Sequence, residues 1–170
     1  MSDIESRIRR IEDRLDLQDL VTRYFIAADD DEYETIGELF AENGIFTAPG
    51  FVGGTNRAEV IEFVKTDRAN MGPTVHTPDY SLFEFQDDDH ASGVVGAHLE
   101  LARGGTTLFG AVRYHDNYVR EGGKWRFARR ELLTIHVGPW DDVGTSLTEE
   151  LNVRWPGFPA APSHFPKKQT

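Results

Sequence analysis

The sequence predicts an α+β domain in which three N-terminal helices precede a curved antiparallel sheet. Apolar residues recur at helical spacing through roughly the first 70 residues, and from Thr74 onward they alternate with a period of two. Short linkers rich in Gly or Asp separate the alternating segments, as expected for consecutive antiparallel hairpins. Because helices closing one side of a curved sheet enclose a hollow, this architecture also predicts a pocket.

The first predicted helix runs from Asp3 to Asp29. Its front half carries a narrow apolar stripe on an otherwise charged surface, and the stripe consists of Ile4, Ile8, Ile11 and Leu15. The rear half is apolar over a broader face, so we expect that half to be buried. We expect the front stripe to pack on a partner subunit or on the C-terminal tail.

Two further helices and a short strand follow. The second helix is predicted from Glu32 to about Phe40, and Ile45–Thr47 reads as a short strand. The third helix is predicted from Arg57 to about Asn70, with Thr55 as its N-cap. Gly53-Gly54 is typical of a turn.

The second half of the chain predicts a meander of four long strands. These strands are Val75–Gln86, Ala91–Arg103, Thr106–Glu121 and Lys124–Val137. We therefore divide the chain into a domain over residues 1–137 and a tail over residues 138–170. The tail is rich in Pro, Gly and aromatic residues, so we expect it to pack irregularly on the same domain and fray near its end, with His164 disordered.

The composition excludes several classes of function. The 170 residues include 18 Lys plus Arg and 29 Asp plus Glu, giving a net charge of −11. This acidic balance argues against nucleic acids and anionic membranes as partners. Cysteine is absent, which excludes disulfides and thiolate chemistry and fits a cytoplasmic location. No stretch resembles a signal peptide or a membrane-spanning helix.

Asp29 is the first candidate for chemistry. It ends the apolar half of the first helix and begins an acidic run, so it is either a solvated helix end or an inward-pointing carboxylate. Its spacing of four residues from Phe25 and five from Tyr24 places it near the apolar face. The helix dipole disfavours a carboxylate at this end, which a purely solvated role does not explain.

His76 is the second candidate. It opens the first long strand, where it either bonds to a backbone carbonyl or serves in proton transfer. Simple alternation places His76, Tyr80 and Leu82 on one face of that strand and Phe83 with Phe85 on the other. Apolar neighbours on its own face favour a His that is shielded from solvent.

The remaining motifs indicate little chemistry. His90 is expected at the surface, whereas His98 either lines a pocket or lies in an oligomer surface. His115 and His136 are predicted to lie on strands, and the sequence assigns neither of them a role. No His-x-x-x-His or His-x-His pattern occurs, so no metal site is predicted. Phosphate-binding loops and nucleophile elbows are also absent.

Several segments resemble the SnoaL-like family of the nuclear transport factor 2-like superfamily. They are Leu17–Asp29, Ile36–Gly44, Tyr114–Arg120 and Gly123–Arg130, together with the strand that carries His76. The resemblance extends over residues 4–137. It implies a cone-shaped, cystatin-like fold, which matches the order of helices and strands derived above. Within the superfamily the sequence is similar to bile-acid 7α-dehydratase, hexachlorocyclohexane dehydrochlorinase and scytalone dehydratase.

The resemblance also implies a set of site residues. Asp29 corresponds to the family aspartate that ends the first helix, and His76 to the histidine that opens the strand after the third helix. Tyr24 fits the Tyr-Phe-x-x-x-Asp pattern, and His76-Thr77-Pro78 resembles the family's His-Thr-Pro motif. Candidates for substrate binding are His98, Arg113, Tyr80 and Arg129.

The implied activity is a dehydratase-type elimination that needs no cofactor. Asp29 would orient His76, His76 would remove a proton next to a carbonyl, and Tyr24 would donate a hydrogen bond to that carbonyl. An isomerase or a polyketide cyclase would use the same parts. A non-catalytic ligand-binding protein, or a subunit like the small subunit of oxygenases, is the alternative outside catalysis.

We expect an apolar, bulky and even polycyclic substrate, because the sequence supplies many aromatic residues that could line a pocket. These are Phe40, Phe46, Phe51, Phe63, Tyr80, Phe109, Trp140 and Trp155, although most of them are expected to be core. The family resemblance further implies a homo-oligomer, either a trimer or a dimer.

Overall fold

The computed structural model describes residues 3–165 and shows an α+β fold. Three helices, α1 (Asp3–Asp29), α2 (Tyr33–Leu39) and α3 (Arg57–Arg68), pack against one sheet. Its strands are β1 (Phe40–Ala48), β2 (Phe51–Gly54), β3 (Met71–Phe85), β4 (His90–Arg103), β5 (Thr106–Glu121) and β6 (Lys124–Pro139). The predicted order of three helices and a four-stranded meander is confirmed.

The six-stranded sheet has the order β2-β1-β6-β5-β4-β3. Strands β3 to β6 form the antiparallel meander, whereas β1 pairs with β6 in parallel. Strand β1 starts at Phe40 and is longer than the predicted Ile45–Thr47, because pairing along β6 extends it. The parallel pairing of β1 with β6 was not predicted, because the spacing of apolar residues does not show which strands pair.

Two local predictions in the α3 region were wrong. Asn56, not Thr55, caps α3 by accepting a hydrogen bond from the amide of Glu59 at 3.0 Å. Gly53-Gly54 ends strand β2 instead of forming a turn. A Cβ at Gly54 would lie 2.5 Å from the backbone nitrogen of Val60, so the glycine permits close packing of β2 on α3.

Helix α1 has two different halves, as predicted. The rear half packs its apolar face into the core, with Leu17, Val21 and Phe25 nearly inaccessible to solvent. The stripe Ile4, Ile8, Ile11 and Leu15 of the front half is exposed instead, with 50% to 66% of each residue accessible. The expectation that this stripe packs on the chain's own tail was therefore wrong for the described residues.

The chain after β6 continues into a 3-10 turn (Trp140–Asp142), a short helix α4 (Val143–Ser146) and irregular backbone. Val153 forms bridges with Val137 and with Ala161, which attach this segment to the C-terminal part of β6. His164 exchanges hydrogen bonds with Thr134 at 3.0 and 2.9 Å, so the expectation that His164 is disordered was wrong. The predicted fray at residues 167–170 lies outside the described residues.

Within residues 3–165, no helix combines the length and the apolar character that crossing a membrane requires.

Candidate active site

Asp29 and His76 form a direct hydrogen-bonded pair. The carboxylate Oδ1 of Asp29 lies 2.6 Å from His76 Nδ1, and Oδ2 accepts the backbone N–H of His76 at 2.8 Å. Thr74 Oγ1 donates a third hydrogen bond to Oδ1 at 2.7 Å. Burial raises the pKa of Asp29, but these hydrogen bonds outweigh it and hold the pKa below its usual value.

The pair is fixed from several directions. The end of α1 supplies Asp29 and the start of β3 supplies His76, so the α1–β3 contact sets their separation. The ring of Phe25, one helical turn before Asp29, stacks on the His76 ring with centroids 5.3 Å apart. Because Nδ1 is bonded to Asp29, Nε2 is the ring nitrogen left for a ligand.

A cation, Arg68, is connected to the pair through Thr74. Arg68, at the end of α3, donates from Nη1 to Thr74 Oγ1 at 3.0 Å and from Nε to Asp31 at 2.6 Å. Asp31 adopts the left-handed backbone conformation at φ 58°. The ion pair with Arg68 holds the pKa of Asp31 below its usual value. The resulting chain of contacts runs from Asp31 through Arg68 and Thr74 to Asp29.

His76 faces a mostly apolar cavity of about 140 Å³. The lining residues are Tyr24, Ala28, Phe46, Phe63, Val64, Asp67, Arg68, Met71, Thr74, His76, Leu99, Leu101, Tyr114, Leu132 and Trp155. Helices α1 and α3, five strands and the C-terminal segment therefore all contribute to the wall. Four larger hollows on the surface of residues 3–165 are lined by other residues and not by Asp29 or His76.

Tyr24 lies in the cavity wall, as its predicted role requires. Burial raises its pKa, so the phenol stays protonated at neutral pH and can donate a hydrogen bond. Its hydroxyl has no hydrogen-bond partner within the described part of the chain. Tyr114 on β5 lines the same cavity, and burial raises its pKa as well.

A buried arginine lies behind the two tyrosines. The Arg130 guanidinium carbon is 4.0 Å from the centroid of the Tyr114 ring and 4.1 Å from that of Tyr24. Its Nε lies 3.6 Å from Asp116 Oδ1, and both side chains are fully buried. Burial raises the pKa of Asp116 to about 6, against the opposing effect of Arg130 and the hydrogen bond from Tyr118.

The four residues predicted to bind substrate lie away from this cavity. Tyr80, His98, Arg113 and Arg129 lie on the opposite face of the sheet, and none of them lines the cavity. His98 pairs there with Asp79 at 2.8 Å, and Arg113 donates to the Tyr80 hydroxyl at 3.1 Å. Their assignment to the pocket was therefore wrong.

Two β-bulges explain part of this error. The register of β3 against β4 shifts between Pro78 and Tyr80, so His76 faces the helices while Tyr80 faces outward. A second shift lies between Phe127 and Arg129 of β6, which pair with the consecutive residues Tyr118 and Asn117 of β5. This shift turns Arg130 inward and Arg129 outward. Strict alternation would instead place Tyr80 on the same face as His76. It would also turn Arg129 inward and Arg130 outward.

Sequence reasoning missed the remaining polar groups of the site. Arg68 and Thr74 join the site because α3 ends beside the start of β3. The only sequence pattern that indicated this contact was a capped helix followed closely by a strand, and that pattern is weak. Trp155 was predicted only as one of several aromatic residues that could line a pocket. Across residues 3–165, no cluster of three or more His, Asp or Glu side chains could hold a metal ion.

The helices and the curved sheet around this cavity define a cone-shaped fold of the nuclear transport factor 2-like type. Residues 9–131 match the SnoaL-like domain, and the chain belongs to that family. A comparison with curated proteins gave no match.

Solved structures share this fold. A protein of Novosphingobium aromaticivorans DSM 12444, provisionally named scytalone dehydratase, superposes with a TM-score of 0.77 at 17% identity, covering 95% of this chain and 99% of its own. Hexachlorocyclohexane dehydrochlorinase LinA-type3 from Novosphingobium barchaimii LL02 gives 0.74 at 18% identity, covering 81% and 96%. An NTF2-like protein of cystatin-like fold from Novosphingobium aromaticivorans gives 0.64 at 26% identity, covering 76% and 86%.

Proposed function

We propose that this protein is a lyase that removes water or halide from a small carbonyl compound by proton abstraction. The observation that carries the proposal is the His76–Asp29 hydrogen bond of 2.6 Å in the wall of an apolar cavity. An imidazole oriented by a carboxylate is a competent general base near neutral pH. The structural similarity to a dehydratase-like protein and a dehydrochlorinase is consistent with this chemistry.

The reaction follows from the positions of these groups. Asp29 accepts a hydrogen bond from the Nδ1–H group of His76. This tautomer leaves the Nε2 lone pair free to remove a proton from a carbon next to the substrate carbonyl. The electrons of that C–H bond form a carbon–carbon double bond, and the bond to the neighbouring leaving group breaks with its electron pair. Protonated His76 returns the proton to a departing hydroxide, giving water, or transfers it to solvent when halide leaves.

Tyr24 would stabilise the charge that develops on the carbonyl oxygen. Tyr24 lines the same cavity as His76, and its protonated hydroxyl has no hydrogen-bond partner within residues 3–165. We expect Tyr24→Phe to lower kcat by about 100-fold or more, because one preorganised donor contributes on the order of 3 kcal/mol. Steady-state kinetics test this, with Tyr114→Phe as the matched variant in the same wall. An unchanged kcat in Tyr24→Phe would remove Tyr24 from the mechanism.

The cavity argues for a single-ring substrate and against the polycyclic one expected from the aromatic content. A volume of about 140 Å³ is close to that of an apolar cavity that holds one benzene ring. The aromatic side chains contribute mainly to packing, and Phe40 and Phe127 are fully buried core residues. Trp155, from the segment after β6, closes part of the wall and so limits the accessible length.

The proposal is tested with a panel of cyclic β-hydroxy and β-halo ketones of one, two and three rings. We expect formation of the conjugated enone, followed by its ultraviolet absorbance, with the one-ring compounds preferred. Trp155→Ala should shift the preference toward two rings, because it removes a large side chain from the wall. Exchange of the α-hydrogen in D₂O without loss of the leaving group would indicate an isomerase or cyclase instead. No turnover and no exchange across the panel would contradict the proposal.

A further inference from the structure

The front half of α1 has a face that the rest of the described chain leaves uncovered. The opposite side of this helix packs on the domain: Asp13 is buried against Arg120 and accepts a hydrogen bond from Trp125 Nε1 at 3.1 Å. Leu17 continues this inner side and is fully buried. The exposed stripe of Ile4, Ile8, Ile11 and Leu15 lies about half a helical turn away from Asp13.

The spacing of the stripe is that of a coiled-coil seam. Its residues follow one another at intervals of four, three and four, so Ile8 and Leu15 occupy a positions and Ile4 and Ile11 occupy d positions. Asp13 then occupies an f position, the position farthest from the seam. The domain therefore lies on the outer side of the helix and leaves the seam accessible to a second helix.

The charges beside the seam select the orientation of that helix. The g positions are Arg7 and Arg14, and the following e positions are Glu12 and Asp19. In a parallel pair a g residue faces the next e residue of the partner, so Arg7 would meet the second copy's glutamate at position 12. An antiparallel pair would place arginine opposite arginine. Neither Arg7 nor Glu12 forms an ion pair with any other part of residues 3–165.

We infer that two copies of this chain associate through their α1 helices as a short parallel coiled coil. The helix is already folded and anchored by its rear half, so pairing does not have to form it. The seam from Ile4 to Leu15 is only about 16 Å long, which predicts a dimer that dissociates on dilution. Arg14 already donates to the Phe83 carbonyl at 3.2 Å, so the Arg7–Glu12 contact is the main selector of orientation.

A cysteine placed in the seam tests the pairing and its register directly, because the chain contains no native cysteine. In a parallel pair Ile11 faces the same residue of the second copy, so Ile11→Cys should give a disulfide-linked dimer under mild oxidation. Ser6→Cys is the matched control, since Ser6 is also exposed on α1 but occupies an f position on the side opposite the seam. Absence of the Ile11→Cys dimer, or equal cross-linking of both variants, would overturn the inference.

Analytical ultracentrifugation of the full chain supplies an independent test. We expect a concentration-dependent dimer, its loss in Ile8→Glu/Ile11→Glu, and a dimer dissociation constant raised roughly threefold or more in Arg7→Glu. Arg7→Glu/Glu12→Arg should restore the wild-type value. A tighter dimer in Arg7→Glu would overturn the parallel arrangement. A monomeric wild type, or an oligomer that only Leu82→Glu on the outer sheet face disperses, would overturn the interface.

Discussion

Replacing His76 with Ala is expected to lower kcat by about 100- to 10,000-fold, the usual contribution of a general base. The loss should appear in kcat and not only in KM, because Nε2 acts on the reacting C–H bond. Asp29→Asn should give a loss of similar order, since the imidazole then lacks the carboxylate that fixes its tautomer and stabilises its protonated form. Steady-state kinetics on a substrate identified from the ring panel measure both effects.

The chain offers a matched control for this pair. His98 and Asp79 form a second His–Asp contact at 2.8 Å, but it lies on the outer face of the sheet. We expect His98→Ala to retain wild-type turnover. Circular dichroism and thermal unfolding should show all three variants folded. Full activity in folded His76→Ala would refute His76 as the general base. Loss of activity in His98→Ala would indicate that the reaction takes place on the outer face of the sheet.

The second large effect concerns stability. Asp116→Ala would leave the fully buried Arg130 without its carboxylate partner and would also remove the acceptor of the Tyr118 hydroxyl. Removing one member of a buried ion pair costs about 3–5 kcal/mol, so we expect the free energy of unfolding to fall by that amount. Urea denaturation followed by tryptophan fluorescence measures the change.

A double variant separates the unpaired charge from simple loss of packing. Asp116→Ala/Arg130→Met removes both charges and keeps an apolar side chain among the rings of Tyr24 and Tyr114. We expect it to be more stable than Asp116→Ala alone, because no uncompensated buried cation remains. If the single variant lost less than about 1 kcal/mol, the rings around Arg130 would be sufficient to hold the cation without Asp116.

Local patterns determined most of the fold and the central pair of the site. The change of period near Thr74 set the order of helices and strands, because each side-chain repeat reflects which face of an element is buried. Asp29 and His76 were identified because each lies at the end of a strongly patterned element. The role of Tyr24 was implied by the family resemblance, through the Tyr-Phe-x-x-x-Asp pattern that ends at Asp29. Such signals need only a few neighbouring residues, so the sequence contains them in full.

Tertiary structure alone decided which other side chains enter the cavity and how large the cavity is. The bulges near Asp79 and Ala128 reverse the alternation, so Arg130 replaces Arg129 at the site and Tyr80 turns away from it. The cavity volume depends on Trp155, which reaches the wall through the contact of Val153 with Val137. Both features arise from pairing between distant strands and segments, and the energy of such pairing is not encoded in any local repeat.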